Sequence, residues 1–221
     1  VSPSLVDTSC IAGNRAFVTL VAGHYYTCGL TADGVSYCWG HDFAGQLGNG
    51  AALTANQASP SPVDTSAIAG NAAFVTLVSG GLHTCGLTAD GVAYCWGNDS
   101  DGQLGNGALV TANQPSPSAV DVSAIAGAGV FVELAGGGYH TCGLTAEGVA
   151  YCWGEDLNGQ LGNGAGTVSQ PSPSAVSVSG IAGNRAFVQL DAGWSHSCGL
   201  AADATTYCWG SDFYGQLGNA A

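Results

Sequence analysis

Positive charge is almost absent from this chain: Arg15 and Arg185 are its only cationic side chains, set against 15 Asp and Glu for a net charge of −13. A phosphate backbone or an anionic bilayer would be repelled, which excludes nucleic acid as a partner and argues against a charged membrane surface. Charge of either sign is scarce as well, at 8% of residues where soluble domains average about 25%. The surface must therefore be solvated by Ser, Thr, Asn and Gln, or be covered by a partner. No apolar run approaches the ~18 residues of a bilayer span, so no membrane insertion is expected. Methionine is missing altogether and the chain begins at Val1 with no visible signal peptide. It reads as a mature product whose leader has been removed. There is no phosphate loop, nucleophile elbow, HExxH or isolated carboxylate pair, so neither enzymatic activity nor a cofactor is expected.

What the chain has instead is repetition. Cys28, Cys85 and Cys142 recur at steps of 57 residues, with Cys198 following after 56, and Trp39, Trp96, Trp153 and Trp209 keep the same step. A period of this size marks a supersecondary unit that buries its apolar face only by stacking on its neighbours. The chain divides as a single domain, 1–221, with repeats 1–57, 58–114, 115–171 and 172–221. Apolar residues make up 46%, but 36 of the residues are glycine, so the core is built from small side chains and close backbone contact.

Eight cysteines form four Cys-x9-Cys pairs, each around a TADG-like turn. If Ala32 and Asp33 make a type I turn and Gly34 is left-handed, Leu30 faces Ser36 and Cys28 lands opposite Cys38. Facing residues on paired strands lie within disulfide range. The same register pairs Cys85 with Cys95, Cys142 with Cys152 and Cys198 with Cys208, although the last turn carries Ala204 in place of glycine. Four bridges imply an oxidising, extracellular compartment. Free buried thiols are the alternative, and Cys-x9-Cys is not a zinc-knuckle spacing. Cys10 is left unpaired. Its counterparts are Ala67, Ala124 and Gly180, which suggests a buried thiol acting as a small hydrophobe, with an intermolecular bridge as the other reading.

Within one repeat, Phe74–Val78, His83–Leu87 and Val92–Trp96 read as strands. The Pro-rich Pro115–Val120 suits an edge strand, and Ser123–Gly127 a short turn. The stretch Gly80-Gly81-Leu82-His83-Thr84-Cys85-Gly86-Leu87-Thr88, then Tyr94-Cys95-Trp96-Gly97 and Gly102-Gln103-Leu104-Gly105, resembles the repeats of the regulator of chromosome condensation. The resemblance covers nearly the whole chain and implies an all-β propeller of four-stranded blades. The family's best-known members have seven blades and are nuclear, acting on a small GTPase; four repeats and a secreted character depart from both. The repeat phase leaves a spare outer strand at the N-terminus, Pro3 to Asp7 with Leu5 and Val6, and an incomplete last blade. That strand either closes the ring within one molecule or completes the blade of another by strand donation.

His83, His140 and His196, with Tyr26 in the first copy, suggest either a metal near the axis or hydrogen bonds repeated in each blade. Asp42, Asp99, Asp156 and Asp212 suggest calcium ligation or an Asx-turn capping each loop. Neither pattern resembles a catalytic constellation, which gathers unlike groups at one point. The copies differ most at His24-Tyr25, Gly81-Leu82, Gly138-Tyr139 and Trp194-Ser195, and again at Phe43-Ala44, Ser100-Asp101, Leu157-Asn158 and Phe213-Tyr214. Aromatic and large apolar side chains on loops of a rigid scaffold are what contact surfaces use, although they also plug gaps between blades. Two functions follow: a secreted structural protein that assembles with itself into filaments or a coat, and an extracellular binding module for a protein or glycan. Asn98-Asp99-Ser100 is a glycosylation sequon, and nucleotide exchange is the most distant reading.

Overall fold

A computed structural model describes residues 2–51, 56–107, 112–127, 129–181 and 186–220. The chain is all-β, with four antiparallel sheets in sequence order. The first holds β1 (Phe17–Ala22), β2 (Tyr26–Thr31), β3 (Ser36–Gly40) and β4 (Gln57–Pro62). The second holds β5 (Phe74–Ser79), β6 (His83–Thr88), β7 (Ala93–Gly97) and β8 (Gln114–Ala119). The third holds β9 (Phe131–Gly136), β10 (His140–Thr145), β11 (Ala150–Gly154) and β12 (Gln170–Ala175). The fourth has only β13 (Phe187–Ala192), β14 (His196–Ala201) and β15 (Thr206–Gly210). These are propeller blades, each a meander running from the axis outward. The repeat period survives, but its phase shifts: the cuts at 57/58, 114/115 and 171/172 fall inside β4, β8 and β12 or at their edges. The proline strands pair backward onto the preceding hairpin, where an edge position needs no donor on its outer side.

The cysteine register is the expected one. Cys28 faces Cys38, and the same holds for the other three pairs. All four are bridged, with Cα atoms 4.1 Å apart. The Thr31 N–H donates to the Val35 carbonyl across the turn, so alternation puts Cys28 and Cys38 at a non-hydrogen-bonded pair, where opposed side chains lie closest. Gly34, Gly91 and Gly148 are left-handed at the turns, and Ala204 is forced into the same region at φ 66°. Glycine meets a second demand there. A Cβ on Gly34 would lie 2.4 Å from the Ala73 Cβ of the next blade, and one on Gly148 as close to Ala186.

Apolar clusters sit between blades rather than within them. Cys28, Cys38, Leu30 and Leu47 of the first blade pack on Phe74, Leu77 and Trp96 of the second, and the pattern repeats twice. Among the described residues no comparable packing joins the first blade to the fourth.

Two expectations need correction. Pro3, Leu5 and Val6 form no strand, Leu5 is 99% exposed, and among the described residues β15 has no outer neighbour. The N-terminal segment therefore does not close the ring within this molecule. Cys10 is unpaired, but it is exposed rather than buried, with its Sγ 2.9 Å from the Pro60 carbonyl oxygen. Its counterparts Ala67, Ala124 and Gly180 are exposed too. The position favours small residues because it lies on the solvent side of a tight turn, one residue before a core isoleucine in the first three copies.

Candidate contact face and the ties between blades

The His/Tyr position has a definite task. His83 Nε2 lies 2.9 Å from Thr141 Oγ1 of the next blade, and Thr141 Oγ1 donates to the Gln103 carbonyl at 2.9 Å. The hydroxyl proton is thereby used, so the imidazole must be the donor and carries its proton on Nε2. His140 does the same toward Ser197, whose hydroxyl donates to the Gln160 carbonyl. In the first copy the Tyr26 hydroxyl donates to the His83 carbonyl and lies 3.0 Å from Thr84 Oγ1. Each Gln carbonyl also accepts the indole N–H of the following blade: Trp96 to Gln46, Trp153 to Gln103, Trp209 to Gln160. A glycine clears the space. A Cβ on Gly48, Gly105 or Gly162 would lie within 2.6 Å of that indole nitrogen.

These contacts favour the structural reading of the histidines. The Ser197–His140 pair is not a nucleophile and base, because the imidazole donates and both groups are sealed from solvent. Among the described residues no group of three His, Cys, Asp or Glu is gathered as a metal would require. The aspartates cap their loops, though across five residues rather than two: Asp42, Asp99, Asp156 and Asp212 each accept the N–H of the leucine in GQLG at 2.9–3.1 Å.

The buried imidazoles make the fold sensitive to acid. Burial lowers the pKa of His83 to about 4 and that of His140 to about 3, and in both the Nδ1 atom has no hydrogen-bond partner. A second proton would have to be buried there without an acceptor. Their unfolded values lie near 6.5, so the contribution is complete above that pH and falls as pH drops toward about 4, by up to ~1.4 kcal/mol per pH unit for each ring. Burial raises Asp42, Asp99 and Asp156, and these carboxyls favour the fold as they protonate, offsetting part of the loss at the acid end. Denaturant midpoints should therefore fall between pH 6.5 and 5, and His140→Gln should flatten that slope by about one proton.

The variable loops lie at one end of the propeller, because Tyr26 faces Gly40 across the β2–β3 ladder. There the rings touch in sequence. Phe43 stacks on His41 at 6.2 Å, His41 meets Tyr25 at 6.1 Å, Tyr25 stacks on His24 at 3.9 Å, His24 meets Trp194 at 5.2 Å, and Trp194 meets Tyr139 at 5.6 Å. The band runs from the first blade across the axis to the fourth and third. Tyr25, Phe43, Leu157, Phe213 and Tyr214 are exposed by 64–87%, while Leu82 and Tyr139 are half-buried. Trp194 also fills a gap, lying over Gly81 and Gly138. Below it is an axial pit of about 270 Å³ lined mainly by glycines, with His24, Ser79 and Trp194 among its other residues. Sequence comparison of the copies located these residues but not His41, which links two of them; histidine stands there in one copy alone.

The regulator of chromosome condensation (RCC1) repeat model matches residues 17–46, 74–103, 131–160 and 187–216, and a second model of the same repeat matches 90–144 and 147–200. The mouse E3 ubiquitin-protein ligase HERC2 is 31% identical over 205 residues, 91% of this chain and 4% of that protein. The ultraviolet-B receptor UVR8 of Arabidopsis thaliana is 30% identical over 205 residues, 92% of this chain and 43% of that protein. Human WBSCR16 superposes with a TM-score of 0.80 at 23% identity, covering 94% of this chain and 50% of that one. Yeast RCC1 (Prp20), solved with Kap60 bound, gives 0.71 at 21% identity, covering 90% and 44%. The chain thus spans half or less of the length of these proteins, and its four matched segments place it in the RCC1 repeat family.

Proposed function

We propose that this chain is an extracellular, non-enzymatic binding module that holds a protein partner on the aromatic loop face. The observation that carries the reading is the unbroken line of rings from Phe43 to Tyr139. Amphipathic rings held by a stiff scaffold supply contact area at little entropic cost, which is where binding energy concentrates. Acids border the band: Glu155 lies near enough to Asp101 to feel its charge. With the net charge of −13, they would steer a partner with apolar and basic residues toward this face. The stapled blades support an oxidising compartment. Yeast Prp20, which shares this fold, has been solved bound to Kap60 and has binding properties to Gsp1p and histones, which favours a protein over a glycan.

Phe43→Ser and Tyr25→Ser should each cut capture of an extracellular partner by about 30-fold or more while leaving the melting temperature near the parent's. Capture that survives both changes refutes the reading, and binding on a glycan array in place of protein capture moves it to a lectin. A structural protein that assembles with itself, by strand donation from Pro3–Val6 or otherwise, is the second reading; the scarcity of charge, at 8% of residues, favours it.

A further inference from the structure

One position of the repeat is filled in two different ways. His24 and Trp194 stand in the first and fourth copies where Gly81 and Gly138 stand in the second and third. Neither glycine is left-handed, so it is a close neighbour and not the local backbone that excludes a side chain. A Cβ on Gly81 would lie 2.7 Å from the Gly138 carbonyl oxygen, and one on Gly138 would lie 2.6 Å from that of Trp194. Main-chain bonds tie these loops in series. The His24 N–H donates to the Gly81 carbonyl at 3.1 Å, the Gly81 N–H to the Gly137 and Gly138 carbonyls at 3.1 Å, and the Gly138 N–H to the Trp194 carbonyl at 3.0 Å. Each tied segment lies inside its own repeat. Together they wall the axial pit, with the His24 and Trp194 rings beside bare main chain.

The polar groups of this pit are biased toward acceptors. Besides the three N–H groups that tie the loops, those of Gly23, Gly80, Gly137 and Gly193 each close their own loop on the carbonyl of the Tyr or His three residues on. The carbonyls that accept the ties keep a second lone pair. Trp194 is 48% exposed, and it meets His24 at 76° and Tyr139 at 89°, which leaves ring surface open. No Asp, Glu, Lys or Arg lines the pit. Acids stand at its rim instead: the Glu155 N–H donates to the carbonyl of Tyr139, the residue after Gly138, and burial together with the Asp101 charge raises the Glu155 carboxyl. Arg15, the one cationic side chain among the described residues, is engaged at the other end of the propeller, 2.7 Å from Asp33 in the β2–β3 turn.

We propose that the axial pit receives an arginine side chain of the protein partner, its guanidinium stacked on Trp194 and donating to the loop carbonyls. Acceptors, an open indole and a net charge of −13 all select a cation over an anion or an apolar group. Arginine is favoured over lysine because its planar group stacks on a ring, offers five donors to scattered oxygens and is the more weakly hydrated of the two. A compact ammonium would lose its water with no carboxylate inside the pit to replace it. Glu155 and Asp101 act at a distance, raising the local concentration of cation at the rim. The assignment rests on the aromatic face being a partner surface, and it names the side chain that surface reads.

A small probe tests the pit apart from any partner. Titration of the oxidised chain with N-acetyl-arginine methylamide, followed by amide NMR, should give saturable shifts at the Gly81 and Gly138 amides and the Trp194 indole, with Kd on the order of 1–10 mM. The lysine analogue should bind several-fold more weakly and the neutral citrulline analogue not at all. Trp194→Leu should weaken the arginine response about 10-fold, and Glu155→Gln, which keeps an acceptor for Gln160, about 3-fold. Shifts that are absent, that citrulline or lysine reproduces in full, that gather at the β2–β3 turns, or that survive Trp194→Leu unchanged overturn the proposal. A pit silent to arginine beside partner capture that is lost on Phe43→Ser and Tyr25→Ser refutes the pit alone. A pit that answers arginine while capture survives both changes upholds the pit and refutes the partner face.

Discussion

Complete reduction of the four bridges should remove the cooperative unfolding transition under conditions where the oxidised chain is folded. Each bridge closes a loop with a sequence separation of 10, for which loss of unfolded-state entropy contributes a little under ~3 kcal/mol. Four together are worth on the order of 10 kcal/mol, comparable with the whole stability of an ordinary domain. The glycine-rich core has little in reserve. Calorimetry with and without a phosphine reductant checks this: a reduced chain that melts within a few degrees of the oxidised one contradicts it. The bridges should also open in order. Cysteines of the first three are at most 1% exposed, whereas Cys198 and Cys208 are half-buried on the uncovered side of the fourth blade. Limited reduction with alkylation should therefore label that pair first, as read by mass spectrometry.

Trp153→Ala should cost about 3–5 kcal/mol, the range for deleting a buried aromatic. Its indole is fully buried, lies 5.7 Å from the Phe131 ring, and donates to the Gln103 carbonyl at 3.0 Å. Gly105 leaves room for the indole, so a truncated side chain opens a cavity that the backbone cannot refill. Trp39→Ala makes the same chemical change where no preceding blade packs, and should cost less than half as much. Denaturant midpoints of the two variants at one concentration give the comparison directly. Equal losses would mean that the joint between blades contributes little beyond packing within the blade.

The blades were legible because their signal is periodic and local. A ten-residue interval around a glycine turn fixes the pairing of Cys28 with Cys38 by hairpin geometry alone, and the structure follows it at all four positions. The joint between blades was not legible, because its hub is a main-chain carbonyl. Gln46, Gln103 and Gln160 contribute their backbone oxygen to the neighbour while their side chains serve their own loop. Side-chain identity carries no trace of this. The exchange of His for Tyr at one junction and of Thr for Ser at another, each keeping a hydrogen-bonding group, was the available clue. Cys10 misled for a related reason: small residues recur both in cores and on tight surface turns, and only burial separates the two. Whether the ring closes depends on where the N-terminal segment lies, which its likeness to β4 could not decide.

Every covalent cross-link in this propeller lies inside a blade, and every joint between blades rests on a carbonyl, an indole and a hydroxyl. Protection against proteolysis is therefore uneven along the chain. The stapled hairpins withstand a nick, while the connecting segments are seams. A single scission between the second and third blades leaves two halves held without a covalent link, by the Gln103 junction and its apolar surround, by main-chain bonds such as Phe131 N–H to the Gly91 carbonyl, and by the His24–Trp194 ring contact, so damage to the molecule would separate it into intact pairs of blades rather than unravel it.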